Sequence, residues 1–139
     1  AGIVNMLKNL GLGWPERTFY ENLSKEMLTS LLRYQDKKGF WHASLLDPES
    51  YPSPETSATA LITYAMAYGV NNKYLDKQVF EPAIMKSWHA LTSVINKDGR
   101  LGYVQPIGAD PRKVTADMTA VYGVGAFLMA GSEVYKMAK

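Results

Sequence analysis

Two carboxylates, two histidines and a basic pair are the side chains whose type and placement suit chemistry here. Glu55 and Asp117 are each expected in the first turn of an apolar helix, at one end of the molecule. Paired carboxylates serve acid–base cleavage of glycosidic bonds. A carboxylate in a first turn is equally a partner for the helix dipole, and the sequence leaves both roles open. His42 stands beside Trp41 in a long loop, where it suits a hydrogen bond to a hydroxyl or a carboxylate. His89 follows Trp88 on an outer helix and reads as a surface or capping residue. Two histidines so far apart, in a chain without cysteine, do not make a metal site. Arg112 and Lys113 lie in a second long loop, where they face either an anionic substrate or water.

Other patterns drop out. Asn96-Lys97-Asp98-Gly99 has part of the composition of a calcium loop. Val94 would hold the first ligand position and no glutamate holds the last, so a helix-ending turn is expected instead. Gly123-Val124-Gly125 falls inside an apolar helix with no preceding strand, which suits close packing and not nucleotide binding. No Gly-x-Ser-x-Gly or phosphate-loop pattern occurs. Tyr64, Met66, Tyr68, Met118, Tyr122 and Met129 are expected in the core.

Five helices must position these groups. The first runs from Ala1 to about Leu10 and is closed by Gly11 and Gly13. The second runs from Glu16 to about Gln35, with Phe19, Leu23, Met27 and Leu31 at helical spacing on one face and Leu28 and Leu32 beside them. The third is expected to start with Ser53 as N-cap and Pro54 at the first helical position, and to end near Gly69. The fourth has Asp76 as cap, and Pro82 is expected to divide a preliminary turn from the main helix, whose stripe is Ile84, Trp88, Leu91 and Ile95. The fifth is expected from near Thr115 to about Met137.

The helices alternate in character. Thr56 to Val70 and Met118 to Ser132 contain no charge, so these helices are expected to be buried on all sides. The second and fourth carry charges along one face, giving an inner, outer, inner, outer, inner order. The order also repeats, because Gly39 and Gly99, Leu31 and Leu91, and Thr59-Ala60 and Thr119-Ala120 each lie 60 residues apart. One outer and one inner helix per unit is the pattern of a helical solenoid or a closed α/α toroid. Each unit also has a long outer-to-inner connection, about residues 37–53 and 97–114. Loops of that length usually carry function. The first, with its prolines and an aromatic at its tip, suits a shallow site for a planar or sugar-like ligand beside the N-termini of buried helices. Five helices make only an arc. Its edges would expose large apolar patches, so the chain is expected to be part of a larger toroid or to pair with a second copy.

Composition narrows the class further. The chain has 139 residues, 47% hydrophobic and 20% charged, with a net charge of +2. That length predicts one domain. Basic residues never run longer than two, which is not the footprint of a nucleic-acid binder. No apolar run reaches the ~18–20 residues of a membrane span. The first residues lack the pattern of a secretion signal, and the absence of cysteine leaves a soluble cytoplasmic or periplasmic setting equally open.

The segments Leu45-Leu46-Asp47-Pro48, Pro54-Glu55-Thr56-Ser57, Asp98-Gly99-Arg100-Leu101-Gly102 and Tyr122-Gly123-Val124-Gly125-Ala126-Phe127 carry a resemblance. With them the chain resembles the C-terminal part of unsaturated rhamnogalacturonyl hydrolases, relatives of the unsaturated glucuronyl hydrolases. The likeness spans nearly the whole chain and weakens around Asn9 to Trp14. It implies an all-α fold, an arc of about five helices from an (α/α)6 barrel, so that residues 1–139 are one partial toroid domain. It implies an oligosaccharide substrate ending in a 4,5-unsaturated uronic acid, made by a polysaccharide lyase, and no metal or organic cofactor. In that family an aspartate protonates C4 and helps water add at C5. The resulting hemiketal opens and the glycosidic link breaks. The family's catalytic aspartate and its Arg-Gly-Asn-Gly-Trp signature lie upstream of the matched region, so no catalytic residue is expected within this chain. What the resemblance leaves here is one wall of the cleft, with Trp41, His42, Glu55, Ser57, Arg112 and Asp117 as substrate-side residues. The rival readings are a non-catalytic α/α solenoid binding a glycan or peptide, and a different α/α-toroid carbohydrate enzyme working through Glu55 with Asp117.

Overall fold

A computed structural model describes residues 1–139. The helices are α1 (Gly2–Asn9), α2 (Arg17–Leu32), α3 (Thr56–Asn71), α4 (Lys77–Ser93) and α5 (Val121–Met137), with one 3-10 turn at Pro111–Lys113. Extended pairing is confined to a single bridge between Ile95 and Leu101. The inner row is α1, α3 and α5, with α3 touching both neighbours. In the outer row, α2 packs on α1 and α3, and α4 packs on α3 and α5.

Composition explains this layering. The uncharged α3 buries most of its length, including Ala60, Tyr64, Met66 and Ala67. Its contact with α5 is the most extensive in the molecule, and Gly123, Ala126 and Ala130 on the facing side of α5 are all buried. Small residues let the two backbones approach, which increases dispersion contact over the whole seam. Gly131 sits so close to Trp88 that an added Cβ would come within 2.8 Å of the indole, which itself stacks on Phe127 at 5.0 Å. A polar seam joins α3 to α4, where the Thr63 hydroxyl lies 2.7 Å from both the Thr59 carbonyl and Ser87 Oγ. At the far ends of the inner helices, Asn71 donates to the buried Glu133 carboxylate at 2.9 Å, and Lys136 donates to its other oxygen at 2.6 Å. A buried carboxylate needs such partners to offset its lost hydration.

The repeat is exact in the outer layer and shifted in the inner one. Arg17 and Lys77 open α2 and α4 60 residues apart, whereas Thr56 and Val121 open α3 and α5 65 apart. The two outer helices end in the same turn. Gly39 N–H donates to the Asp36 carbonyl at 3.2 Å and Asp36 N–H to Phe40 at 2.9 Å; Gly99 with Asn96, and Asn96 with Arg100, repeat this at 2.9 and 2.8 Å. Both glycines have positive φ, 105° and 82°.

Several expected boundaries move, each for a tertiary reason. The cap of α3 is Glu55, not Ser53, and Pro54 lies before the helix. The Ser53 hydroxyl is instead drawn to the Val114 carbonyl at 3.3 Å. Helix α5 begins at Val121 and not near Thr115, because the preceding backbone is engaged elsewhere. Tyr103 N–H donates to Thr115 and Val104 N–H to Met118, at 3.2 and 2.9 Å. Pro82 sits inside a continuous α4, whose cap is Asp76 as expected, its carboxylate accepting from Gln78 N–H at 2.8 Å. On α2 the buried line is Ser24 and Leu28, while Phe19 and Met27 are 64% and 52% exposed. Nor is α5 buried all round, since Val121, Leu128 and Tyr135 are largely exposed on its outer side. An apolar groove of about 410 Å³ opens at the other edge, between α1, α2 and α3, with Ile3, Met27, Leu31 and Leu61 in its walls. These are the two ends of the arc, where an inner helix has a neighbour on one side only.

Candidate functional site

The two long loops meet over the N-terminus of α3. Thr56, fully buried, places its hydroxyl 3.0 Å from the Gly102 carbonyl and 2.9 Å from that of Tyr103. This contact holds the second loop at its entry, where Tyr103 takes a positive φ of 55°. Further along, the first loop reaches the second through Ser53 and Val114, and the Arg112 guanidinium lies 6.0 Å over the Tyr51 ring.

Between the loops lies a cavity of about 460 Å³. Trp41, His42, Glu55 and Ser57 line it together with Gln105 and Tyr122. Arg112 stands one residue beyond Pro111, which also lines the cavity. Asp117 does not line it. That residue sits in an exposed turn on the Arg100 side and raises the Arg100 pKa in company with Asp98, the larger influence. The structure therefore gathers four of the six residues singled out from the sequence, sets Arg112 at the rim, and leaves Asp117 outside.

Each of these side chains has a local task. The Glu55 carboxylate caps α3, accepting from Ala58 N–H and, at 2.7 Å, from the Ser57 hydroxyl. Its acceptor capacity is thus partly spent on the helix end. Trp41 is not an exposed face at a loop tip. It is fully buried, its indole N–H donates to the Leu31 carbonyl at 2.8 Å, and its backbone N–H donates to Thr59 Oγ1 at 3.1 Å. It borders the cavity without presenting an exposed ring face. Arg112 donates from Nε to Asp110 at 3.1 Å, which raises the arginine pKa and lowers that of Asp110. Its remaining N–H groups are exposed at the rim. Tyr122 was expected in the core but is 38% exposed, and its hydroxyl donates to the Gln105 carbonyl. No local signal marks Tyr122 or Gln105, because both enter the cavity through the packing of the second loop on α5.

His42 has no ring nitrogen left over. Nδ1 lies 3.0 Å from the Tyr51 carbonyl and 3.2 Å from that of Ser53, and Nε2 lies 3.1 Å from Asp36 Oδ2. Asp36 also accepts from the N–H groups of Gly39 and Phe40 at 2.6 and 2.8 Å. Burial by itself raises the Asp36 pKa, but the hydrogen bonds from Phe40, His42 and Gly39 outweigh it and leave it below the usual aspartate value. A lowered folded pKa means stability that is present above about pH 4, the unfolded aspartate range, and lost as pH falls through the folded value. The urea midpoints of the wild type and Asp36→Asn should therefore differ most near neutrality and converge in acid. A gap that widened on acidification would contradict this.

Alternating inner and outer helices, with loops gathered over a cavity at one rim, define a segment of an α/α toroid. Residues 1–138 match Glycosyl Hydrolase Family 88, and the chain belongs to that family. It is 47% identical over 137 residues to an unsaturated 3S-rhamnoglycuronyl hydrolase of Formosa agariphila, covering 99% of this chain and 36% of the relative. A protein of the same description from an Alteromonas species is 37% identical over 96% of this chain and 32% of its own length. Among solved structures, a family 88 glycosyl hydrolase from Bacteroides vulgatus superposes with a TM-score of 0.90 at 36% identity, over 95% of this chain and 39% of that one. A structure described as polysaccharide lyase BACCELL_00875 superposes with a TM-score of 0.92 at 38% identity, over 99% and 40%. The chain thus spans about a third of the length of the curated relatives it matches.

Proposed function

We propose that this chain is the C-terminal portion of a catalytic toroid that removes a terminal 4,5-unsaturated uronic acid from lyase-made oligosaccharides. The observation that carries the reading is the 47% identity to a 3S-rhamnoglycuronyl hydrolase over essentially the whole chain. Rhamnose-linked unsaturated uronic acids are accordingly the substrate class to test first. The reaction is hydration of the double bond. A proton goes to C4, water oxygen bonds to C5, the hemiketal opens to the ketone, and the glycosidic bond breaks with release of the second sugar.

In this reading the cavity between the two loops is one wall of the sugar site. Arg112 at its rim attracts the anionic sugar, and Glu55, whose carboxylate is held on the α3 end, keeps the uronate carboxylate directed away from itself. His42 and Trp41 shape the wall from behind. The acid that protonates C4 belongs to the remainder of the toroid, which also covers the groove beside α1 and the open face of α5. A toroid enzyme pairing Glu55 with Asp117 gains no support, because Asp117 lies outside the cavity.

The test is ultraviolet absorbance of the conjugated uronate. The isolated chain leaves the signal of an unsaturated uronyl-rhamnose disaccharide unchanged. The same chain joined to the preceding helices of a family relative makes the signal decay. Decay caused by the isolated chain would refute the assignment of the acid to missing helices. A rise in absorbance on an intact polysaccharide would instead show elimination, the chemistry of a lyase.

A further inference from the structure

We propose that Asp36 and His42 are a positioning pair, a hydrogen-bonded bridge that docks the proline-rich loop on the end of α2 and so sets the wall of the cavity. His42 lines the cavity, yet all the hydrogen-bonding capacity of its ring is turned away from a ligand. One nitrogen faces a carboxylate and the other faces two carbonyls. Both ring nitrogens face protein oxygens, so neither is left over to meet a ligand. The imidazole then spans from the helix-ending turn to Tyr51 and Ser53, just before the cap of α3.

The second repeat solves the same problem without the ring. The residue matching Asp36 is Asn96, whose side-chain amide donates directly to the Ala116 carbonyl at 3.0 Å. The residue matching His42 is Gly102, where an added Cβ would lie 2.3 Å from that same carbonyl oxygen. There the loop backbone comes right up to the turn. In the first repeat a ring stands between the turn and the loop, and the loop is held off by its width. The two repeats thus share a latch at one position and differ in its length. The longer latch belongs to the first loop, which supplies Trp41, His42, Ala43 and Leu45 to the cavity.

The charged and titratable groups around the bridge come from every neighbouring element. Lys86 of α4 donates to the Asp36 carbonyl at 2.8 Å, Glu55 at the α3 end lines the same cavity, Tyr122 enters from α5, and Arg112 covers Tyr51 from the second loop. The docking follows from the geometry alone; its effect on turnover rests on the reading proposed above.

Residue-resolved amide exchange on this chain tests the pair without any sugar. The reporters are the amides of Tyr51 and Glu55, which donate to Pro48 and Trp41, against Met66 and Ala130 in the core helices. His42→Ala is expected to speed exchange at the two loop amides about tenfold while the core amides change by less than about twofold. His42→Gln, whose amide reaches one side of the bridge, restores part of the protection. Unchanged loop protection in His42→Ala, equal loss in loop and core, or no recovery in His42→Gln would each overturn the proposal.

Discussion

Gly39→Ala is expected to lower the unfolding free energy by about 2–5 kcal/mol, while Gly99→Ala, at the same place in the second repeat, lowers it by about 1–2 kcal/mol. Both residues close an outer helix with positive φ, so each alanine carries the backbone penalty of the left-handed region. They differ in what surrounds them. A Cβ on Gly39 would lie 2.5 Å from the Lys86 carbonyl oxygen and 3.1 Å from the Ala90 Cβ, whereas one on Gly99 meets nothing within 4 Å. The Lys86 carbonyl belongs to the α4 backbone and cannot swing aside as a side chain would. Relief requires α4 to move away from the α2 turn, which adds an overpacking cost of about 1–3 kcal/mol. Gln35 and Lys86 fasten the same junction, donating to the Ala83 and Asp36 carbonyls at 2.9 and 2.8 Å, so the displacement would strain those bonds too. Urea titration followed by far-ultraviolet circular dichroism measures both variants. Equal losses would show that only the backbone angle matters and that α4 is free to adjust.

Trp41→Ala is expected to cost about 3–5 kcal/mol, the range for deleting a fully buried large side chain. The indole is enclosed with Leu28, Tyr64 and Ile84 in the main hydrophobic cluster, and it hydrogen-bonds the end of α2. Its removal opens a void where α2, α3 and the first loop converge. It also leaves the Leu31 carbonyl without the indole donor, while the backbone N–H of residue 41 still reaches Thr59. Trp41→Phe keeps most of the volume and loses the indole N–H, and should cost about 1–2 kcal/mol. The pair of variants separates a core role from a ligand role. A tryptophan serving to stack on sugar would lower glycan affinity on substitution by alanine and leave the urea midpoint in place. That outcome would return Trp41 to the position the sequence suggested.

Helices, layering and the repeat were legible in the sequence because each rests on a short-range signal. The uncharged run from Thr56 to Val70 made α3 the buried helix, and the 60-residue spacing of Gly39 and Gly99 marked one turn used twice. Asp76 was readable as a cap because its carboxylate acts within its own first turn. The motif resemblance gave the family, which needs only residue identity. The starts of α3 and α5 were not readable. Ser53 looks like a cap and Thr115 like a helix start, but distant carbonyls and N–H groups compete for them and win.

The cavity itself belongs to the tertiary structure. Trp41 and His42 are adjacent in a polar loop, and nothing local says that one ring is buried and the other pinned on both nitrogens. Glu55 and Asp117 look alike beside their helices, yet the shift of α5 to Val121 leaves Asp117 in a turn outside the cavity and brings Tyr122 to its edge. The sequence alone determined which helices form and which of their faces are apolar, since periodicity and charge act over a turn or two. Only the tertiary structure decided which side chains meet across the two loops, because those meetings depend on hydrogen bonds between segments some 50 residues apart.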